Sequence, residues 1–159
     1  MANTYTQLYV HIVFAVKHRE NLIREPFRDE LEKYICGIIT QKRHKPLAVY
    51  AMPGHTHLFI GLNPAEAIST LVGNIKTGTS ALIKEKQWIR SGFQWQEGYG
   101  AFSHARSQLD TVVAYILNQP IHHQRRTFRE EYLDMLTKAA IDYTDSYLFD
   151  WLDDDFPAS

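Results

Sequence analysis

One cysteine, Cys36, stands in 159 residues, so no internal disulfide can form and a reducing, cytoplasmic setting is expected. The chain opens with no basic-then-apolar leader, and no apolar run approaches the roughly 18–20 residues of a membrane-spanning helix, which argues against a membrane protein. With 8 glycines and 6 prolines there is neither a repeat nor a low-complexity linker, and the length suits one domain rather than two. A Walker-type phosphate loop is absent too, so no nucleotide cofactor is expected.

Net charge is nearly absent, at −1, but its distribution is uneven. All 17 Lys and Arg precede residue 141, against twelve of the 18 acids, so residues 1–140 carry +5. The last nineteen carry −6, from Asp142, Asp145, Asp150, Asp153, Asp154 and Asp155. The expected organisation is a single body over 1–140 and an acidic C-terminal tail over 141–159. A basic body can bind phosphate locally whatever the sum; a tail that only aids solubility explains the same numbers.

Residues 4–16 are rich in β-branched and aromatic types and predict a strand, Val10, Ile12 and Phe14 facing one way and Tyr9, His11 and Val13 the other. A polar turn, Lys17-His18-Arg19-Glu20-Asn21, precedes a helix over 26–43, with Pro26 in its first turn and Phe27, Leu31, Tyr34, Ile35, Ile38 and Ile39 as its apolar stripe. Strands over 45–52 and 55–62 join tightly through Pro53-Gly54. Asn63 is the expected N-cap of a second helix reaching about Lys86. The latter part of 92–103 suits another strand. A helix over 107–119 follows, with Ser107 as N-cap and Asp110 completing a capping box, then a short helix from Thr127. This order predicts an α+β domain of the split βαβ kind (ferredoxin-like, RRM-like): an antiparallel sheet, helices on one face, and a separate C-terminal helix.

Two motifs carry chemistry. In Met52-Pro53-Gly54-His55-Thr56-His57-Leu58, strand alternation points His55 and His57 to one face and Thr56 to the other, so two imidazoles can chelate one metal ion. With eight histidines in the chain, a structural pair is the competing reading. Tyr115 and Gln119 lie four apart on one helix face. The helical wheel sets Tyr115 about 110° from the centre of the stripe Leu109, Val112, Val113, Ile116, at the flank where a phenol is available for work or simply marks a boundary.

Together with several longer segments, these motifs resemble the single-tyrosine HUH transposases of the insertion-sequence 200/605 type. The resemblance runs through Tyr9-Val10-His11-Ile12-Val13-Phe14 with Lys17 and Arg19, the element at 52–58, Trp95-Gln96-Glu97-Gly98-Tyr99, and Ser107-Gln108. It continues through Tyr115-Ile116 with Asn118-Gln119, His122-His123 and Thr127-Phe128-Arg129-Glu130-Glu131-Tyr132. It implies a DNA transposase that cuts and rejoins single strands through a covalent 5′-phosphotyrosine. Tyr115 would be the nucleophile, and His55, His57 and Gln119 the ligands of a divalent cation. Imidazoles suit zinc, nickel or iron and an amide oxygen suits harder ions; the resemblance favours Mg²⁺ or Mn²⁺. It also implies single-stranded DNA with hairpins as partner, and a homodimer whose tyrosine helix acts in trans. A free phenol has a pKa near 10 and needs activation; no general base is named, and His11 is read as structural.

Three positions depart from the family pattern. Thr56 stands where a hydrophobic residue is usual, Gly54 where an acid is common, and Pro120 follows Gln119 directly, which places Gln119 at a helix end or kink. Lys42, Arg43, Lys45, Lys76, Arg125 and Arg126 are the candidate phosphate contacts, and Trp95 a candidate base-stacking platform. The alternatives are a domesticated HUH nuclease, a non-catalytic nucleic-acid-binding module on the same fold, and a metal hydrolase that would not need Tyr115.

Overall fold

Every residue of the first strand after Tyr9 is buried, because helices cover both faces of the sheet it belongs to. The computed structural model describes residues 3–17, 22–90, 92–149 and 151. The predicted turn residues 18–21 and four of the tail's six acids, Asp150 and Asp153 to Asp155, lie outside them. The elements run β1 (Tyr9–Ala15), α1 (Glu25–Gln41), β2 (Lys45–Ala51), β3 (His55–Gly61), α2 (Ile68–Lys86), β4 (Gly100–His104), α3 (Leu109–Leu117), α4 (Gln119–His122) and α5 (Phe128–Lys138). The strands make one antiparallel sheet in the order β2-β3-β1-β4. The chain is thus α+β, as expected. Among the described residues no helix is long and apolar enough to cross a membrane.

Alternation along β1 sorts the two faces. Val10, Ile12 and Phe14, with Leu58 and Ile60 of β3, pack under Leu31, Ile35 and Ile39 of α1 and Leu71, Val72 and Ile75 of α2. Val13 and Ala15 face the other way, where Phe128, Tyr132 and Leu136 of α5 close over them with Phe102. Phe59 and Ala48 on that same face receive Val112 and Ile116 of α3. At roughly 1.5–3 kcal/mol per buried large apolar side chain, both faces are firmly anchored. Gly100 lets α5 approach: a Cβ there would lie 2.6 Å from the Tyr132 hydroxyl.

Local chemistry moved several predicted boundaries. Asn63 does not cap α2, which begins at Ile68. Its Oδ1 accepts from the Ala65 N–H and its Nδ2 donates to the Lys42 carbonyl, so it ties a turn instead. Ser107 is not an N-cap either. It sits in a short 3₁₀ turn, Arg106–Gln108, where Gln108 Oε1 accepts from the Ala105 N–H. Thr127 does cap α5, accepting from the Glu130 N–H. Within the stretch after residue 141, Phe149 is buried against Phe128 and Tyr132.

Candidate active site

β3 presents His55 and His57 on the face covered by α3, α4 and α5, opposite Ala15 and Val13 of β1. Both are buried. Thr56 points to the opposite face, as alternation predicts, pairing with Phe14. The His55 ring stacks on Phe128, 4.0 Å between centroids. His57 Nδ1 lies 2.8 Å from His11 Nε2. For His57 to offer its Nε2 lone pair, Nδ1 must carry the proton and donate it to His11. His11 can accept because it is neutral: burial, and then the neighbouring His57, lower its pKa well below the usual value.

The helix carrying Tyr115 breaks where Pro120 demands. α3 ends at Leu117, and Gln119 opens α4 with Pro120 in its first turn. The break does not expel Gln119, which is fully buried. Its Oε1 lies 3.4 Å from His55 Nε2, and its Nε2 donates to Glu131 Oε2 at 2.8 Å. The Tyr115 hydroxyl donates to the same oxygen. The Tyr115 ring stands edge-on to His57, 6.3 Å between centroids, and stacks on His122 at 4.7 Å. All of these groups come from one chain.

Glu131 was not among the predicted site residues. It lies 2% exposed, with Oε1 3.2 Å from His57 Nε2, 3.2 Å from His123 Nε2 and 3.8 Å from His55 Nε2. The signal for it was present. The buried stripe of α5 is Phe128, Glu131, Tyr132, Leu136, and a carboxylate inside an apolar stripe is rarely idle. Burial pushes its pKa up, but the facing imidazoles of His57, His123 and His55 outweigh that and hold the carboxyl well below the usual range. The Tyr115 phenol is pushed strongly up, first by burial and then by the adjacent Glu131 charge and hydrogen bond.

One atom tests whether this cluster suits a cation. Among the described residues His57 Nε2 is buried with no hydrogen-bond partner, although Glu131 Oε1 is 3.2 Å away. Buried polar atoms are nearly always satisfied, and a lone pair aimed between an imidazole and a carboxylate is what a divalent ion would occupy. Ligand atoms of His55, His57 and Glu131 lie within 4.8 Å of one another. The residues fit a metal.

The candidate DNA contacts divide by environment. Arg43, Lys45 and Arg125 are exposed. Lys42 pairs with Glu66 at 3.4 Å, in a cluster where the buried His44 also meets Glu66. Arg126 pairs with Asp134 at 3.4 Å. Lys76 and Trp95 need correction. Lys76 Nζ donates to the Gln96 and Gly98 carbonyls at 2.7 Å each, clamping the loop before β4. Trp95 is buried against Phe14, its Nε1 donating to Thr79 Oγ1 at 2.9 Å. It is core, so no base can stack on it.

Comparison with known proteins points one way. A family profile described as transposase IS200 like matches residues 4–119. The ISDra2 transposase TnpA of Deinococcus radiodurans is 27% identical over 121 residues, which cover 71% of this chain and 84% of that protein. Two solved structures share the fold. A candidate transposase from D. radiodurans R1 has TM-score 0.57 and 23% identity, covering 75% of this chain and 95% of its own. A REP-associated tyrosine transposase bound to a REP hairpin has TM-score 0.58 and 15% identity, covering 100% and 94%.

Proposed function

This chain belongs to the IS200-like transposase family, and from that premise we propose that it cuts and rejoins single-stranded DNA through a phosphotyrosine at Tyr115. The observation that carries the reading is the convergence of Tyr115, Gln119, His55 and His57 on one buried carboxylate. A non-catalytic binding module has no use for such a cluster. Its polar groups would only cost desolvation.

Each residue has its own part in the reaction. Glu131 Oε2 holds the Tyr115 hydroxyl in place and is the nearest acceptor for its proton. The phenol oxygen attacks the phosphorus and the P–O3′ bond breaks. The 5′ end stays esterified to Tyr115 while the other strand leaves as a 3′-OH. A second 3′-OH then attacks the phosphotyrosine, re-forming a phosphodiester and returning the phenol; no nucleotide cofactor is needed. His55, His57 and the Gln119 carboxamide would hold a divalent cation, Mg²⁺ or Mn²⁺. When bound, it would polarise the scissile phosphate and offset charge developing on it. His11 keeps His57 in the ligating tautomer.

Exposed Arg43, Lys45 and Arg125, with Lys42 and Arg126 from their ion pairs, are the proposed phosphate contacts for single-stranded DNA bearing hairpins. A DNA substrate and a lone, partly buried thiol suit a cytoplasmic protein. Tyr115 adjoins its own His57, which supports a site completed within one chain, whereas the resemblance implies a tyrosine helix acting in trans. A homodimer exchanging tyrosine helices is the alternative. Mixing Tyr115→Phe with His57→Ala protein decides between them: restored cleavage marks exchange, and no cleavage marks a site in cis.

The test of the function is a denaturation-resistant protein–DNA adduct, formed with single-stranded hairpin DNA from the element's ends and Mn²⁺. It should vanish in Tyr115→Phe and on chelation, a loss of roughly 10⁴-fold or more for a removed nucleophile. Cleavage surviving Tyr115→Phe would mean activated water, and binding without cleavage would mean a recognition module.

A further inference from the structure

We propose that Glu131 is itself an inner ligand of the cation, so that one carboxylate joins the metal to the nucleophile. The inference rests on the reading above only in taking the site to bind a divalent ion. The two carboxylate oxygens are already divided between two sets of partners. Oε1 turns to imidazole nitrogens, at 3.2 Å from His57 Nε2 and 3.8 Å from His55 Nε2. Oε2 takes the Gln119 amide and the Tyr115 hydroxyl. Syn and anti lone pairs on separate oxygens allow both roles at once.

Charge supports the same assignment. Burying a carboxylate costs several kcal/mol unless something compensates it, and the described ion-pair partners of Glu131 are all histidines. Two imidazoles and a carboxamide form an entirely neutral donor set, whereas Mg²⁺ and Mn²⁺ prefer at least one anionic oxygen. With Glu131 ligating, the loaded site carries +1, equal and opposite to one phosphodiester. Without it the buried site would carry +2 against a separate unneutralised carboxylate. Gln119 gains a second role, since its amide fixes Oε2 and so sets the angle at which Oε1 faces the histidines.

Oε1, at 3.2 and 3.8 Å from the two imidazole nitrogens, is also spaced from them as a ligand around one ion should be. Metal–ligand bonds of about 2.0–2.2 Å set donors roughly 3 Å apart. His123 Nε2 competes for the same oxygen, so metal binding should release His123 rather than Tyr115.

The experiment titrates Mn²⁺ into the full-length chain and counts free Mn²⁺ by EPR, with melting curves as the check on folding. Wild type should bind one ion per chain. Glu131→Gln keeps the shape and one acceptor oxygen for Tyr115 and Gln119, but removes the charge and sets an NH2 where Oε1 faced the histidines, and should weaken Mn²⁺ binding by roughly tenfold or more. Tyr115→Phe should weaken binding less than Glu131→Gln does, since the phenol touches the carboxylate but is not itself a ligand. If Glu131→Gln does not fold, Glu131→Asp serves: it keeps the charge, withdraws the oxygens, and should bind measurably more weakly at an unchanged melting temperature. Wild-type affinity in either folded variant overturns the assignment, as does a wild type that binds no Mn²⁺. The adduct assay is scored separately. An adduct with Glu131-independent Mn²⁺ binding sinks the ligand assignment and leaves the tyrosine reading standing. Glu131-dependent binding with no adduct does the reverse.

Discussion

On one face of the sheet Val10, Ile12 and Phe14 meet α1 and α2; on the other, one residue along the same strand, His11, Val13 and Ala15 meet α3 and α5. The first face is almost wholly apolar, and its stability comes from burial. The second interrupts its apolar contacts with five histidines, a glutamine, a tyrosine and a carboxylate that partner one another. The difference teaches how a small domain can hold a polar site rigidly. Strands fastened from one side leave their other side free to present fixed ligands.

Breaking the apolar face should have the largest effect. Phe14→Ala is expected to cost about 3–5 kcal/mol of stability in urea melts. Mn²⁺ affinity of the protein that stays folded should remain near wild type. A collapse of metal binding in still-folded protein would show that the faces are not separable.

On the polar face, His11→Phe removes the acceptor for the His57 Nδ1 proton. Metal affinity should fall by roughly 10–100-fold, as for other lost orienting partners, with partial recovery in His11→Gln, whose amide oxygen can accept. Equal losses in both variants would argue against a tautomer-fixing role.

At the rim of the apolar face the expected effect is one of pH. Burial raises the Glu32 carboxyl from its ordinary 4.5 to about 7, offset in part by Arg28. Between those values the folded chain holds a proton that the unfolded chain has released, so stability should fall as pH rises through that window. Glu32→Gln should flatten that slope. An unchanged slope would place the titration elsewhere.

The smallest expected effect is a gain. Thr56 Oγ1 is buried on the apolar face with no hydrogen-bond partner among the described residues. Thr56→Val keeps the shape and removes the stranded hydroxyl, so it should stabilise by about 1 kcal/mol. Cleavage should be unaltered, because this side chain points away from the histidines.

Much of this was legible in the chain. Alternation placed Val10, Ile12 and Phe14 against His11 and Val13, and set His55 beside His57 with Thr56 behind. The break at Gln119 followed from Pro120, whose ring cannot sit inside a continuing helix. Long-range partners were harder to read. Trp95 and Lys76 look like nucleic-acid contacts until Thr79 and two loop carbonyls claim them. Asn63 and Ser107 fit helix caps locally, but tertiary partners redirected the backbone around both.

By itself, then, the sequence determined which residues share a strand face or a helix face, because periods of 2 and 3.6 are properties of the backbone alone. From that came the histidine pair, the Tyr115–Gln119 pair and, through chain-wide resemblance, the family. Only the tertiary structure decided that Glu131 sits among them. It arrives on α5, whose position over the sheet is set by Phe128, Tyr132 and Leu136 packing against Val13, Ala15 and Phe102. That packing links segments distant in the chain, and no local pattern encodes where such a helix will come to rest.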